Sequence, residues 1–353
     1  LIVAGADMKS IHILILCSLA LICVTVTSIA DSINVQSTTV AGCRVKVVRV
    51  PLDSYKVKIG LAGNRVSATE PLASIARRNS ACAAINGCFF NAYTSSPVKP
   101  PYHHLISGGK VLHVGNTGTT IGFNGSGDYR MERLRISLRG GLDGSKSYPD
   151  NWYSYFINHP VENSTTAIIY DKSYCQSATP AVGLQAVVSD GVIVSVGPGP
   201  KSIPGNGFVV LFSGGEASQA SKLTCGKRCE FKPEFQSTDA DFWNNVEEAI
   251  GCGPRLVADG KIALEPLSEG FTSAKILSAR GQRSAVGVTR DKQLLLVTCS
   301  GATVKLLASI MKALGACDAM NLDGGASSCL WVNGKYLTTP GRNIGNALMV
   351  IRR

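Results

Sequence analysis

The stretch Arg283-Ser-Ala-Val-Gly-Val-Thr289, Arg290-Asp-Lys292, Leu294-Leu-Leu-Val-Thr-Cys299 reads as two strands joined by a charged turn. The next residues, Thr303 to Leu314, place Leu306, Leu307, Ile310, Met311 and Leu314 at helical spacing, so an amphipathic helix follows. Asp318 to Leu322 returns to strand and runs into Asn321-Leu-Asp-Gly-Gly325. A strand pair, a helix and a further strand ending in a Gly-rich loop set the pattern for the whole chain.

Working outward, strands dominate. Arg44 to Val50 and Tyr55 to Gly60 alternate polar and apolar residues, and Cys82 to Ile85 is a buried strand leading into Asn86-Gly87. Ser107-Gly-Gly-Lys110 is a hairpin turn, and Met131 to Leu138 alternates strictly. Leu184 to Ser189 and Val192 to Val196 flank Asp190-Gly191, a favoured hairpin dipeptide. Phe208 to Phe212, Leu256 to Ala258, Ser328 to Val332 and Asn346 to Ile351 are further strands. Helices are expected from Thr69-Glu-Pro71 to about Arg78, with Thr69 as cap, and over Asp239 to Ile250, with Phe242, Val246, Ala249 and Ile250 on one side. No repeat and no Pro- or Ser-rich linker divides the chain. This order implies an α+β fold of strand-rich mixed sheets with a few flanking helices in one large domain.

Residues 1–30 read as upstream residues and a signal peptide. Met8-Lys9 precedes an almost wholly apolar Ile11 to Ala30, which ends in small residues, and cleavage is expected after Ala30. A membrane anchor is the competing reading of that stretch, and no later segment reads as a span. The expectation is a secreted or extracytoplasmic protein with a short segment at 31–43 and one domain over 44–353. Ten of the 12 cysteines lie beyond the leader, an even number that suggests disulfides, Cys225 with Cys229 among them. That pair has no nearby His or second Cys pair, so a zinc site is not expected. The net charge of +11 favours an anionic partner. The basic residues are dispersed and no reading motif occurs, so nucleic acid is not the expected partner. Asn124-Gly-Ser and Asn163-Ser-Thr are sequons for a host that glycosylates.

Four Gly-rich segments carry polar groups where backbone can approach a ligand: Asn86 to Asn91, Gly251 to Val257, Arg283 to Gly287 and Asn321 to Ser328. None is a phosphate-binding loop or a nucleophile elbow. Each has a bland reading beside the chemical one. Asp323-Gly-Gly is either a tight turn or a strand-end carboxylate beside open backbone. Arg283 is either a surface ion pair or a fork for phosphate. Asn86 is either a turn residue or a ligand to substrate. Arg255 after Gly-Pro is an ordinary strand-end Arg or a second cation.

Together these segments resemble the phosphodiester glycosidase family. Asn86 to Phe90 matches its Asn-Gly-x-Phe-Phe, and Gly251 to Val257 its Gly-x-Gly-Pro-x-Leu-Val. Arg283 to Gly287 matches its Arg-Thr/Ser-Ala-x-Gly, and Asn321 to Ser328 its Asn-Leu-Asp-Gly-Gly-Gly/Ala-Ser-Ser. Asn333 to Lys335 and Pro340 to Arg342 also fit, and the resemblance runs from about Arg44 to Ile351. Where many members carry Asp-Gly-Arg, this chain has Val297-Thr-Cys-Ser-Gly-Ala-Thr303, a shortening like that of a bacterial-type branch.

The resemblance implies hydrolysis of a sugar-1-phosphodiester, for instance of N-acetylglucosamine or an envelope glycan. Such a site needs a carboxylate near the anomeric carbon and cations for the phosphate. Asp323, Arg283 and Asn86 are the implied catalytic residues. Gly87, Arg255, Asn321, Gly324, Gly325 and Ser327 are the implied substrate-binding residues. Asp259, Glu216 and Asp318 are available as a partner carboxylate, and spacing does not separate them. No cofactor and no metal is expected; calcium on Asp323 and Asn321 is the minor alternative. The rival reading is a non-catalytic module binding phosphorylated glycan or envelope polymer, which the missing Asp-Gly-Arg favours. A phosphodiesterase cutting the P–O bond would usually want a metal cluster.

Overall fold

The computed structural model describes residues 32–353. The expected leader lies outside the described residues. Among the described residues no helix is long and apolar enough to cross a membrane.

Strands dominate, in five sheets. The largest has seven strands, in the order Asn34–Val40, Cys43–Pro51, Gln293–Ala302, Gly281–Thr289, Ala316–Asn321, Arg255–Ala258 and Lys261–Ile262. Every neighbouring pair in it is antiparallel. Thr289 and Gln293 close the hairpin around Arg290-Asp-Lys292, with Lys292 at positive φ. The helix Val304–Ala313 is capped by the Thr303 side chain, which accepts from the Leu306 N–H at 3.1 Å. It buries Leu307, Ile310 and Met311 against one face of this sheet.

A five-stranded sheet covers the other face, in the order Lys335–Thr338, Leu330–Val332, Ala83–Asn86, Asn346–Arg352 and Tyr55–Leu61. A second is ordered Lys110–His113, Leu105–Ser107, Val246–Cys252, Thr119–Asn124 and Tyr129–Glu132. The three share one apolar core: Val48, Val286 and Leu296 from the first meet Ile85 and Leu348 from the second and Ile121 from the third. A third five-stranded sheet, centred on Thr166–Asp171, Gly207–Ser213 and Leu184–Ser189, packs with the three-stranded sheet around Trp152 and Phe212.

Three local expectations are corrected. Asp239 to Ile250 is helical only over Ala240–Asn244, and Val246–Cys252 is a central strand. Pairing with Leu105–Ser107 and Thr119–Asn124 outweighs the helical spacing, because these residues are buried on both faces of a sheet. Met131 to Leu138 is not one strand: Tyr129–Glu132 and Arg135–Leu142 belong to different sheets. The short helix expected to start at Thr69-Glu-Pro71 starts at Leu72, with Pro71 rather than Thr69 at its N-cap. The expected disulfides are not formed: all ten described cysteines are free thiols. Cys229 points into the core beside Trp152 while Cys225 is exposed, so their side chains diverge.

Candidate active site

The register of the seven-stranded sheet brings the motifs together. Ala285 faces Asn321 across antiparallel strands, so the start of one strand and the end of the other lie at the same end of the sheet. Leu322 N–H donates to the Ser284 carbonyl at 2.9 Å, which continues the ladder into the loop. On its other side the loop is tied to the neighbouring sheet. Asp323 N–H donates to the Gly87 carbonyl at 3.0 Å, and Asn86 Nδ2 donates to the Asp323 carbonyl at 2.7 Å. Asn86 Oδ1 accepts from Ser284 Oγ at 2.8 Å and from Cys329 N–H at 3.0 Å. The fully buried Asn86 side chain thus positions the loop, a role one step removed from the chemistry implied for it.

A cavity of about 920 Å³ opens beside this loop, within the range of small-molecule sites. Of the residues singled out in the sequence, Asp323, Arg283, Gly324, Gly325 and Ser327 line it. Asn86, Gly87, Asn321 and Arg255 do not. Gly87 is there for close packing, because a Cβ would collide with the Asn346 amide oxygen and Ile250. Asn321 Nδ2 donates to the Gly253 carbonyl at 2.8 Å, which joins two of the Gly-rich segments. Arg255 pairs with Asp318 and donates to the Met131 carbonyl at 2.6 Å. Tyr129 Oη donates to the other Asp318 oxygen at 2.8 Å, so this cluster is an internal tie.

Asp323 is half-buried. Burial pushes its carboxyl up to about 6, opposed by hydrogen bonds from Ser327 and the Gly324 N–H and by the charges of Arg342 and Lys275. The Gly324 N–H donates to Oδ1 at 2.8 Å. Arg283 is 6% exposed and has three contacts with backbone. Its Nη2 donates to the carbonyls of Lys275 at 2.7 Å and Ala279 at 2.6 Å, and its Nε to Ala302 at 3.2 Å. It therefore anchors the short helix Ala274–Leu277, which carries Lys275 at the pocket. Its Nη1 lies by Gly324, where a Cβ would stand 3.6 Å from it.

The sequence reading missed Lys275 and Arg342 as site cations. Both line the cavity, and among the described residues neither forms an ion pair with a carboxylate. Gly341 N–H donates to the Ala326 carbonyl at 2.8 Å, which draws the Pro340-Gly-Arg342 segment onto the Asp323 loop. Its place in that motif was the available signal for Arg342. Lys275 had none, since no motif covers the short helix that carries it. The three carboxylates available by spacing are elsewhere. Glu216 accepts from Tyr153, Tyr155 and Gln219, Asp318 pairs with Arg255, and Asp259 occupies a turn at φ 48°. The second acid lining the cavity is Glu162, 4.0 Å from His159 Nε2.

Residues 182–351 match the family model described as phosphodiester glycosidase. No curated protein matches the chain. Among solved structures, a protein of Synechocystis has 24% identity and a TM-score of 0.78, over 91% of this chain and 62% of that one. This chain thus spans less than two thirds of that protein. A Burkholderia pseudomallei protein described as exported has 21% identity and a TM-score of 0.74, over 88% and 74% of the two chains. The catalytic domain of zebrafish N-acetylglucosamine-1-phosphodiester alpha-N-acetylglucosaminidase, auto-inhibited by its pro-peptide, has 16% identity and a TM-score of 0.49, over 91% and 83%. At these identities the likeness to the first two is one of fold.

Proposed function

We propose that the chain hydrolyses a sugar-1-phosphodiester at the bond between the anomeric carbon and the phosphate oxygen. The observation that carries this reading is one cavity holding the desolvated Asp323 carboxylate and the cations Lys275, Arg280 and Arg342, none of which forms an ion pair with a carboxylate among the described residues. A phosphodiester carries one negative charge, which these cations and the backbone at Gly324 and Gly325 suit. Asp323 then serves the anomeric carbon as nucleophile, base or stabiliser of the oxocarbenium-like transition state. Water adds to the sugar, the C–O bond breaks, and the electron pair leaves with a phosphomonoester. That leaving group is weakly basic, so one strong acid fewer is needed than for an alcohol.

N-acetylglucosamine-1-phosphodiester is the first substrate to assay, because the motif resemblance names that chemistry. The apolar Ile11 to Ala30 stretch suits work outside the cytoplasm. The test is incubation of the purified protein with a panel of sugar-1-phosphodiesters, with and without chelator, and measurement of free sugar. Release of sugar is expected with both. Binding of the panel without release would replace the hydrolase with a glycan-binding module, and release of sugar phosphate would indicate P–O cleavage.

A further inference from the structure

The cavity has a second wall that the charge chemistry does not use. His103 and His113 line it and are 2% and 1% exposed. Among the described residues, neither ring nitrogen of His103 has a hydrogen-bond partner, and neither does Nε2 of His113. Buried polar atoms are nearly always paired, because a buried group without a partner has lost its bond to water and gained none in return. Three such atoms along one cavity wall are an arrangement that a ligand completes. A satisfied core histidine, the commoner case, would look like His104, whose Nε2 meets the Leu134 carbonyl at 3.1 Å.

The character of the wall defines the ligand. His113 Nδ1 lies 2.8 Å from the His103 carbonyl, so it carries the proton and donates there, leaving Nε2 as an acceptor. Burial pushes both imidazoles down to about 3, so both are neutral wherever Asp323 is ionised. The His103 ring is stacked on Phe271, with centroids 6.0 Å apart and planes at 22°, and lies 5.6 Å from Phe89. Neutral donors and acceptors between flat apolar rings suit a polyhydroxylated ring, whose hydroxyls bond the nitrogens and whose C–H face lies on the aromatics. They do not suit an anion.

We propose that the His103–His113 wall, with Phe89 and Phe271, is the subsite for the uncharged sugar ring, and that His103 sets specificity there. The inference rests on the proposed hydrolase for the direction of the substrate: sugar toward His103, phosphate toward Lys275 and Arg342.

The test uses the full chain and two probes, free N-acetylglucosamine and inorganic phosphate, each titrated by calorimetry and followed by the imidazole nitrogen resonances. The wild type should show sugar-dependent shifts at His103. His103→Leu should weaken sugar binding at least about 10-fold, and His103→Gln, which keeps hydrogen-bonding groups, should weaken it less. Phosphate affinity should stay within twofold in both. Unchanged sugar affinity in His103→Leu, or a matching loss of phosphate affinity, overturns the subsite. Should that variant fail to fold, unshifted His103 nitrogens in sugar-saturated wild type overturn it equally. A protein that binds sugar through His103 but releases none from any phosphodiester loses the hydrolase reading and keeps the subsite. A hydrolase whose KM ignores His103→Leu does the reverse.

Discussion

The Arg342 guanidinium stands 4.8 Å from the centroid of the Tyr93 ring, and its Nη2 donates to the Tyr93 hydroxyl at 3.0 Å. Lys275 Nζ lies 5.0 Å from the same centroid. One aromatic ring, 77% exposed, thus holds two of the site cations without neutralising either. Cation–π contacts at exposed positions contribute about 0.5–1 kcal/mol. Tyr93→Ala should therefore raise KM for a phosphodiester substrate roughly two- to fivefold and leave kcat nearly unchanged. Steady-state kinetics on the two proteins checks this, and a fall in kcat with constant KM would contradict it.

Asp323→Asn should reduce sugar release by about 10³-fold or more while the fold survives. The same change should stabilise the protein at neutral pH. The folded carboxyl sits near 6, above the unfolded value of about 3.9. Its ionisation therefore opposes folding progressively from about pH 4 to 6 and fully above that range. The expected gain in Tm is roughly 1–4 °C at pH 7.5, absent below pH 4. Thermal melts of both proteins at the two pH values decide it.

If the ionised Asp323 is the working form, kcat/KM should rise with pH to a plateau, with a half-point near 6. Arg342 lowers the Asp323 pKa, so Arg342→Gln should move the half-point to higher pH. An acid limb that does not respond to this substitution belongs to another group.

Arg283→Lys separates charge from geometry. Lysine keeps the positive charge but cannot hold the Lys275, Ala279 and Ala302 carbonyls together. The variant should lose about 10-fold or more in kcat/KM, and hydrogen exchange should quicken in the Ala274–Leu277 segment. Normal kinetics with normal exchange would leave Arg283 without the anchoring role.

Arg255→Ala removes the partner of Asp318 and leaves that carboxylate, 14% exposed, beside Tyr129. A loss of about 2–4 kcal/mol of stability is expected, with KM within twofold of wild type. Denaturant unfolding and kinetics measured on one preparation test both halves.

The sequence made some of this legible and hid the rest for identifiable reasons. The hairpin at Arg290-Asp-Lys292 and the Thr303-capped helix were readable because their signals are local. Val246–Cys252 was not, because its strand pairing with Leu105–Ser107 and Thr119–Asn124 is invisible to periodicity. At the site, Asp323, Gly324, Gly325 and Ser327 could be anticipated from a motif. The division of labour could not. Asn86 and Arg283 have polar side chains suited to substrate, yet their hydrogen bonds go to backbone. Lys275 reaches the cavity on a short helix that Arg283 holds, a dependence between residues eight positions apart that no local pattern reveals.

The strand Ala83–Asn86 lies between Leu330–Val332 and Asn346–Arg352, and the loop after it leads to Phe89 and His103. The matched region, residues 182–351, holds Asp323, Lys275 and Arg342 but not Ala83–Asn86, Phe89 or His103. Expressed by itself, that region would have an open seam in the middle of a sheet and half a binding pocket. The matched region and the folded unit of this chain therefore have different borders, and a fragment cut at the first should not fold stably.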